Sequence, residues 1–196
     1  MKRFLIQKMT GLAGAAVLVN LFLAAPVLAA TAEEQIAQAV LPLPEDLRAG
    51  ATVVSYDPTT GDRVVLRQGT NPVECEPMNP TDGFIRCYNK VMIPRHQFEA
   101  KLHAAKKTDK EVEEAVAAAI KAGTLKTPPY GTMSYRLAFK DGVIKKLWVM
   151  SVPFATSETI GVSTVSQRDA ALKGQGLPWL MLAGTAGAHV MIPVAQ

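Results

Sequence analysis

The sequence predicts an α+β fold in which a mainly antiparallel sheet is built from hairpins and carries a helical insertion at about residues 95–123. Strand-like runs flank "PTTG" and "EPMNPTDG", two segments rich in turn-forming residues. Two helical stretches follow, and strand patterns resume on both sides of "KDG", a strong hairpin signal. Runs of strands interrupted by one block of helices are typical of α+β folds.

The first 30 residues have the layout of a secretory signal peptide. A cationic start precedes an apolar run at about Gly11–Ala25, and small residues follow. Asn20 interrupts the run and Pro26 ends it, well short of the roughly 20 residues that a membrane-spanning helix needs. We therefore expect cleavage near Ala29 to Ala32, a periplasmic or secreted location, and no stable membrane span after cleavage.

The remaining chain divides into a lead-in segment at residues 31–50 and a single globular domain at 51–196. The lead-in begins with "AEEQIAQAV", a short helical pattern, and its prolines and final glycine indicate a turn. A chain of 196 residues with 48% hydrophobic and 19% charged residues is typical of an ordinary globular protein. One domain is therefore expected.

The charge balance argues against nucleic acid as a partner. The whole chain has 21 basic and 17 acidic residues, but three of the basic residues lie in the predicted signal peptide. The mature chain would keep 18 basic residues against the same 17 acidic ones, a net charge of +1. Electrostatic attraction to DNA or RNA therefore has little support.

The two cysteines, Cys75 and Cys87, are expected to form a disulfide. They lie in the strand-like runs "VEC" and "FIRCY", and export would place them in an oxidising compartment. A zinc site would need two further ligands, and a redox-active pair would need the closer C-x-x-C spacing. A bridge closing this loop stabilises the fold by about 3 kcal/mol.

The helical insertion contains "HQFEAKLH", in which His96, Glu99 and His103 invite a metal-site interpretation. The two histidines would lie roughly 10 Å apart along a helix, too far to share one tetrahedral ion easily. An apolar side that includes Phe98 lies opposite them, so we expect both histidines to face water. Thr108 is the predicted N-cap of the second helix, with Glu111 completing the capping box.

The region after the "KDG" hairpin begins with a segment at residues 154–177 that has no clear periodicity. It is a binding loop, a flexible flap, or short helices that periodicity does not detect. The last segment, "PWLMLAGTAGAHVMIPV", is predicted to form a hairpin that closes the sheet.

Alternation in this final hairpin predicts one face that carries soft metal-binding groups. One predicted face carries Leu180, Leu182, Val190, Ile192 and Val194. The other carries Trp179, Met181, His189 and Met191. Thioethers, an imidazole and an indole suit Cu(I), although the same residues commonly fill a core or line a cleft. No metal site is favoured, and Cu(I) binding at these four residues is the weaker alternative.

The segment "GLPWLMLAGTAGAHVMIPV", together with "GATVV", "VLRQGTN" and the following cysteine, carries a resemblance. These stretches resemble an uncharacterised group of exported bacterial proteins with a C-terminal Trp segment, a Gly-Thr turn and an Ala-His strand. The resemblance implies export and a shared fold. It implies no activity and no site residues.

Motifs of the common catalytic classes are not found in the sequence. The serine in "IGVSTV" lacks a flanking glycine of a nucleophile elbow, and H-E-x-x-H, phosphate-loop and S-x-x-K patterns are missing. We therefore predict an exported, non-catalytic module that binds an unknown small molecule or protein without a cofactor. A periplasmic Cu(I)-binding protein and a hydrolase-type enzyme are the alternatives. Catalytic residues and the oligomeric state are not predicted.

The signal-peptide prediction can be tested on protein recovered from the native host. The intact mass should lack about the first 30 residues, because a signal peptidase cleaves after the small residues that follow the apolar run. Recovery of the full-length chain in the membrane fraction would contradict the prediction.

Overall fold

The computed structural model describes residues 31–140, 143–171, 173 and 175–194, so the predicted signal peptide lies outside the described residues. The strands are β1 (Thr52–Tyr56), β2 (Arg63–Arg67), β3 (Val73–Glu76), β4 (Phe84–Asn89), β5 (Met133–Lys140), β6 (Val143–Ser151), β7 (Trp179–Met181) and β8 (His189–Val194). The helices are α1 (Ala32–Ala39), α2 (Glu45–Arg48), α3 (Ile93–Ala104), α4 (Asp109–Lys121), α5 (Ser157–Ile160) and α6 (Arg168–Ala171). A 3-10 turn at Lys90–Met92 leads into α3.

The strands form one sheet in the order β2-β1-β3-β4-β5-β6-β8-β7. Neighbouring strands are antiparallel except for β1 and β3, which are parallel. The predicted α+β class, the hairpins and the helical insertion are therefore confirmed. Within the described part of the chain, no helix combines the length and the apolar composition needed to cross a membrane.

The predicted disulfide is present between Cys75 and Cys87. These residues lie directly opposite each other on β3 and β4, with Cα atoms 4.0 Å apart. Both cysteines are fully buried in an apolar cluster that includes Val53. The bridge therefore joins neighbouring strands inside the core.

The two sides of the sheet have different partners. We call the side bearing Tyr88, Arg136 and Met191 the α3 face, because α3 stacks on it at Tyr88. The other side, which bears Cys87 and Leu137, is the α1 face, and α1 packs on it. Residues of the lead-in segment thus contribute to the core, and the buried ones are Ala39, Val40, Pro42 and Leu43.

The α3–α4 hairpin has the local signals that its sequence predicts. Pro94 lies in the first turn of α3, where a missing N–H breaks no helical hydrogen bond. Thr108 and Glu111 form the predicted capping box of α4. Val112 and Val116 are the buried residues of α4, whereas α3 has no fully buried residue. The contacts of α3 with the rest of the protein are therefore made by partly buried side chains.

The segment at 154–177 contains the short helices α5 and α6, each of four residues. Ala155 and Ile160 pack against Leu180 on the α1 face, whereas Ala171 packs with Trp179 on the α3 face. One turn of helix is too short for a 3.6-residue periodicity to be visible in a sequence. The segment therefore covers apolar surface at the β7–β8 end of the sheet.

The disulfide prediction concerns both reactivity and stability. Alkylation without reductant should leave Cys75 and Cys87 unlabelled, and reduction should lower the melting temperature because the unfolded chain gains freedom. The expected destabilisation is about 3 kcal/mol for a loop of this length. The Cys75→Ala, Cys87→Ala double variant is the control, since reductant should not change its melting temperature. Rapid labelling of two thiols in the unreduced protein would contradict the assignment.

Candidate functional site

Charged and aromatic side chains form two neighbouring rows on the α3 face. The Glu74 row contains Glu74 and Tyr88, and the arginine row contains Glu76, Arg86 and Arg136. Directly opposite residues in a ladder point to the same side of a sheet. The register pairs Glu74 with Tyr88, Glu76 with Arg86, and Arg86 with Arg136. Alternation along β3 and β4 then places all five side chains on the side that α3 covers.

One row contains a fully buried carboxylate, that of Glu74. The guanidinium of Arg63 forms an ion pair with it, with Nε 3.0 Å from Oε1. The Tyr88 hydroxyl also donates to Oε1 at 3.3 Å, so the Tyr56 hydroxyl must donate to that of Tyr88, 3.3 Å away. Burial raises the pKa of Tyr88 and raises the pKa of Tyr56 to about 12. Both phenols therefore remain protonated donors at neutral pH.

Glu76 is the second carboxylate of this region and is partly buried. Burial raises its pKa, while the Tyr88 hydroxyl and the Arg86 guanidinium oppose that shift. Glu74 and Glu76 lie two residues apart on one strand and therefore point to the same side. Glu76 lies directly opposite Arg86, so it belongs to the row of arginines next to the Glu74 row.

His96 joins α3 to the sheet, which corrects the expectation that it faces water. Its ring stacks on Tyr88 with centroids 3.8 Å apart and an interplanar angle of 19°. Its Nδ1 lies 3.6 Å from a Glu99 oxygen, and its buried Nε2 has no hydrogen-bond partner among the described residues. Burial lowers the pKa of His96 to about 4, so the ring is neutral at pH 7. The expectation was wrong because this side of α3 meets an aromatic ring.

His103 is exposed, as expected for the far end of the same helix. No group of three or more His, Cys, Asp or Glu side chains suited to a metal ion occurs in the described part of the chain. His96 and Glu99 instead contact each other beside Tyr88. These residues therefore serve the packing of α3 in this structure.

Three guanidinium groups form what we call the arginine cluster: Arg86, Arg95 and Arg136. Arg86 forms an ion pair with Asp82, and Arg95 forms one with Glu99 at 2.7 Å. Arg136 makes no hydrogen bond or ion pair with any described residue, although it is partly buried. Burial lowers its pKa to about 10, and Arg86 adds to the shift. Arg136 therefore stays protonated at pH 7 with no bonded counter-ion from this part of the chain.

An apolar groove of about 260 Å³ lies beside the arginine cluster. One wall comes from the start of α3 and the turn before it, and the other from the connection between α4 and β5. The lining includes Val91, Met92, Arg95, Leu125, Lys126 and Pro128. Arg95 belongs both to this groove and to the arginine cluster. A second groove of about 280 Å³, lined in part by Arg63, Gln97 and Lys101, lies on another side of α3.

The final hairpin places the four proposed copper ligands on the α3 face, with Trp179 opposite Met191 and Met181 opposite His189. Trp179 and Met191 are only 2% and 5% exposed and pack in an apolar cluster. The His189 ring bonds to the Gly187 carbonyl at 2.8 Å through Nδ1. Two of the four residues thus serve the core, and Cu(I) binding stays a prediction.

Leu182 does not follow the predicted alternation of the final hairpin. Strand β7 ends at Met181, and Leu182 has a φ of 53° and a 58% exposed side chain. It therefore does not share a buried face with Leu180, because the chain has already entered the turn.

The burial of neutral His96 predicts an acid dependence of stability. The unfolded chain binds a proton near pH 6.5 that the folded chain binds only near pH 4. The free energy of unfolding therefore keeps its full value above pH 6.5. It decreases by about 3 kcal/mol as the pH falls toward 4, because only the unfolded chain gains this proton. Urea unfolding at several pH values should show a shallower acid loss in His96→Gln.

His103→Gln is the matched control for this measurement, because it changes an exposed histidine of the same helix. Its stability should depend on pH as that of the wild type does. An unchanged acid loss in His96→Gln would contradict the buried neutral state of His96.

Comparisons with known proteins give no family for this chain. No protein-family model, no curated protein and no solved structure matches it.

Proposed function

We propose that this protein is an exported, non-catalytic binding module whose ligand site is the apolar groove beside Arg95. The groove itself is the observation that carries the proposal. Small-molecule sites are concave, largely apolar and supplied with a few polar groups that fix the orientation of the ligand. This groove combines apolar walls at Val91 and Leu125 with cationic groups at Arg95 and Lys126.

The signal-like N-terminus and the disulfide support the exported part of the proposal. Residues 1–30 have the charge and hydropathy layout of a signal peptide. The Cys75–Cys87 bridge agrees with an oxidising compartment, where such bonds persist. A periplasmic or secreted protein that captures a small organic ligand is consistent with both features.

The state of the ionisable groups favours binding over hydrolysis. A general base must reach the proton that it removes, directly or through one water. The Glu74 carboxylate is fully buried and already bonded to Arg63 and Tyr88. The Nε2 atom of His96 is buried against the sheet. These groups are therefore better explained as parts of the contact between α3 and the sheet than as catalytic residues.

The walls of the groove are set by ordered elements. The 3-10 turn is capped by Asn89, whose side chain accepts a hydrogen bond from the Val91 N–H. On the opposite wall, the N–H groups of Thr124 and Leu125 both donate to the carbonyl of Ala119 at the end of α4. A site held by such contacts loses little conformational entropy when a ligand binds.

A neutral fluorescent probe, N-phenyl-1-naphthylamine, tests the groove directly. Its fluorescence should rise saturably with one site per chain, because the apolar walls exclude water from the dye. Leu125→Asn and Val91→Asn should each weaken binding by about tenfold, since an amide replaces apolar contact area. Stability is measured in parallel by thermal unfolding.

Leu182→Asn is the matched control, because it changes an apolar residue as exposed as Val91 that follows the edge strand β7 and does not line the groove. It should leave probe binding unchanged. No saturable binding, or an equal loss in the Leu182 variant, would contradict the groove as the ligand site.

A further inference from the structure

We propose that the contact of α3 with the sheet is a pH-sensitive switch at His96, and that acidification loosens α3 and releases the ligand from the apolar groove. This inference rests on the proposed binding function and adds its regulation. The groove binds its ligand at neutral pH, where α3 is docked, and loses it in acidic surroundings.

His96 is the aromatic contact between α3 and the sheet. Its ring stacks on Tyr88 with centroids 3.8 Å apart. Helix α3 has no fully buried residue that would hold it in place without this contact. Loss of the stacked pair is therefore sufficient to detach this part of the helix.

The ring of His96 has no place for a second proton while α3 is docked. A protonated imidazole has two N–H donors. The Nε2 atom is buried and has no hydrogen-bond partner among the described residues, and Nδ1 lies 3.6 Å from a Glu99 oxygen, too far for a good hydrogen bond. A buried donor on a charged ring without an acceptor is unfavourable. The proton is therefore accepted more readily when α3 is loosened and Nε2 reaches water.

The charged groups around His96 do not compensate for its burial. The ionisable groups that face it from its own helix and from the strands below are Glu99, Arg95, Tyr88, Glu74, Glu76 and Arg136. Glu99 and Glu74 favour the proton, but each already forms an ion pair with an arginine. Arg95 and Arg136 oppose it. Burial is the largest effect, and it lowers the pKa of His96 to about 4.

The part of α3 that contains His96 also forms one wall of the apolar groove. Pro94 and Arg95, the two residues before His96, both line the groove. The opposite wall, which includes Leu125, belongs to the connection between α4 and β5. Loosening of α3 at His96 therefore moves one wall relative to the other and removes apolar contact with the ligand.

The second half of α3 has a separate contact. A Cβ atom at Gly61 would lie 2.6 Å from the Cα atom of Lys101, so the helix touches the turn between β1 and β2 there. His96 and the groove wall both belong to the first half of the helix. The movement is therefore confined to the first two turns of α3.

The direction and the pH range follow from proton linkage. The pKa of His96 is near 6.5 when the ring reaches water and about 4 when α3 is docked. The docked state is therefore fully favoured above pH 6.5 and loses its advantage as the pH falls toward 4. Between pH 7 and pH 4.5, the ratio of loosened to docked chains should rise by about fiftyfold.

The test is the pH dependence of binding of N-phenyl-1-naphthylamine, which stays uncharged over this range. The wild type should bind the dye at least about fivefold more weakly at pH 4.5 than at pH 7. His96→Phe should change by less than about twofold, because its ring can stack on Tyr88 but accepts no proton. This variant loses no hydrogen bond of Nε2, since that atom has no partner.

Two further variants and one measurement complete the design. His96→Gln also lacks an ionisable ring and should show the same weak pH dependence as His96→Phe. His103→Gln changes an exposed histidine of the same helix and should behave as the wild type does. Hydrogen exchange without dye reports on α3 itself: amides of residues 93–97 should lose protection at pH 4.5, while those of β5 and β6 keep it.

The outcomes separate the switch from the function on which it depends. Equal dye affinity at both pH values in the wild type would overturn the switch and leave the binding groove. An equal acid loss in both His96 variants would overturn it by assigning the effect to another group. Loss of protection in β5 and β6 together with α3 would overturn it in favour of global unfolding. Absence of dye binding at every pH would reject the binding function, and exchange in α3 would still test the switch.

Discussion

The buried ion pair between Arg63 and Glu74 is the contact on which the arrangement of the α3 face depends. It joins the edge strand β2 to β3, and the same carboxylate orients the Tyr88 hydroxyl. The ring of Tyr88 is then the surface on which His96, and with it α3, stacks. Removing one partner of a buried ion pair typically costs 3–5 kcal/mol, because the other charge stays buried. The position of α3 on the sheet therefore depends on this ion pair, through the contacts of Tyr88 and His96.

The α3 face carries both a charged group with bonded partners, Glu74, and one without them among the described residues, Arg136. The Glu74 carboxylate is bonded to both Arg63 and Tyr88, which makes these three residues a structural unit. Arg136, directly opposite Arg86, has no hydrogen bond or ion pair with any described residue. Because α3 carries both His96 and Arg95, the stacking of His96 on Tyr88 also helps to position Arg95 in the wall of the groove.

Local signals allowed much of the fold to be predicted. The hairpins, the Thr108 cap and the Cys75–Cys87 bridge all follow from nearby residues, and each is present. The parallel pairing of β1 with β3 could not be predicted, because it depends on which non-adjacent strands meet. Short helices were one of three alternatives for residues 154–177, and the sequence could not decide among them because one turn leaves no periodic pattern.

The candidate site was harder to predict than the fold. Its signal was present as charged residues at alternate positions of predicted strands, in "VECE" and "FIRCY". Alternation places Glu74 with Glu76, and Arg86 with Tyr88, on common faces. The pairing of Arg86 with Arg136 in the ladder, however, depends on the register of two strands that are separated by two helices in the sequence. The stacking of His96 likewise depends on which side chain α3 meets on the sheet.

A crystal structure of the protein with N-phenyl-1-naphthylamine tests the central claim most directly, because it shows whether the groove is the ligand site. The expected result is one dye molecule between Val91 and Leu125, with the His96 ring of α3 stacked on Tyr88. A structure in which the dye lies elsewhere or is not bound would contradict this account.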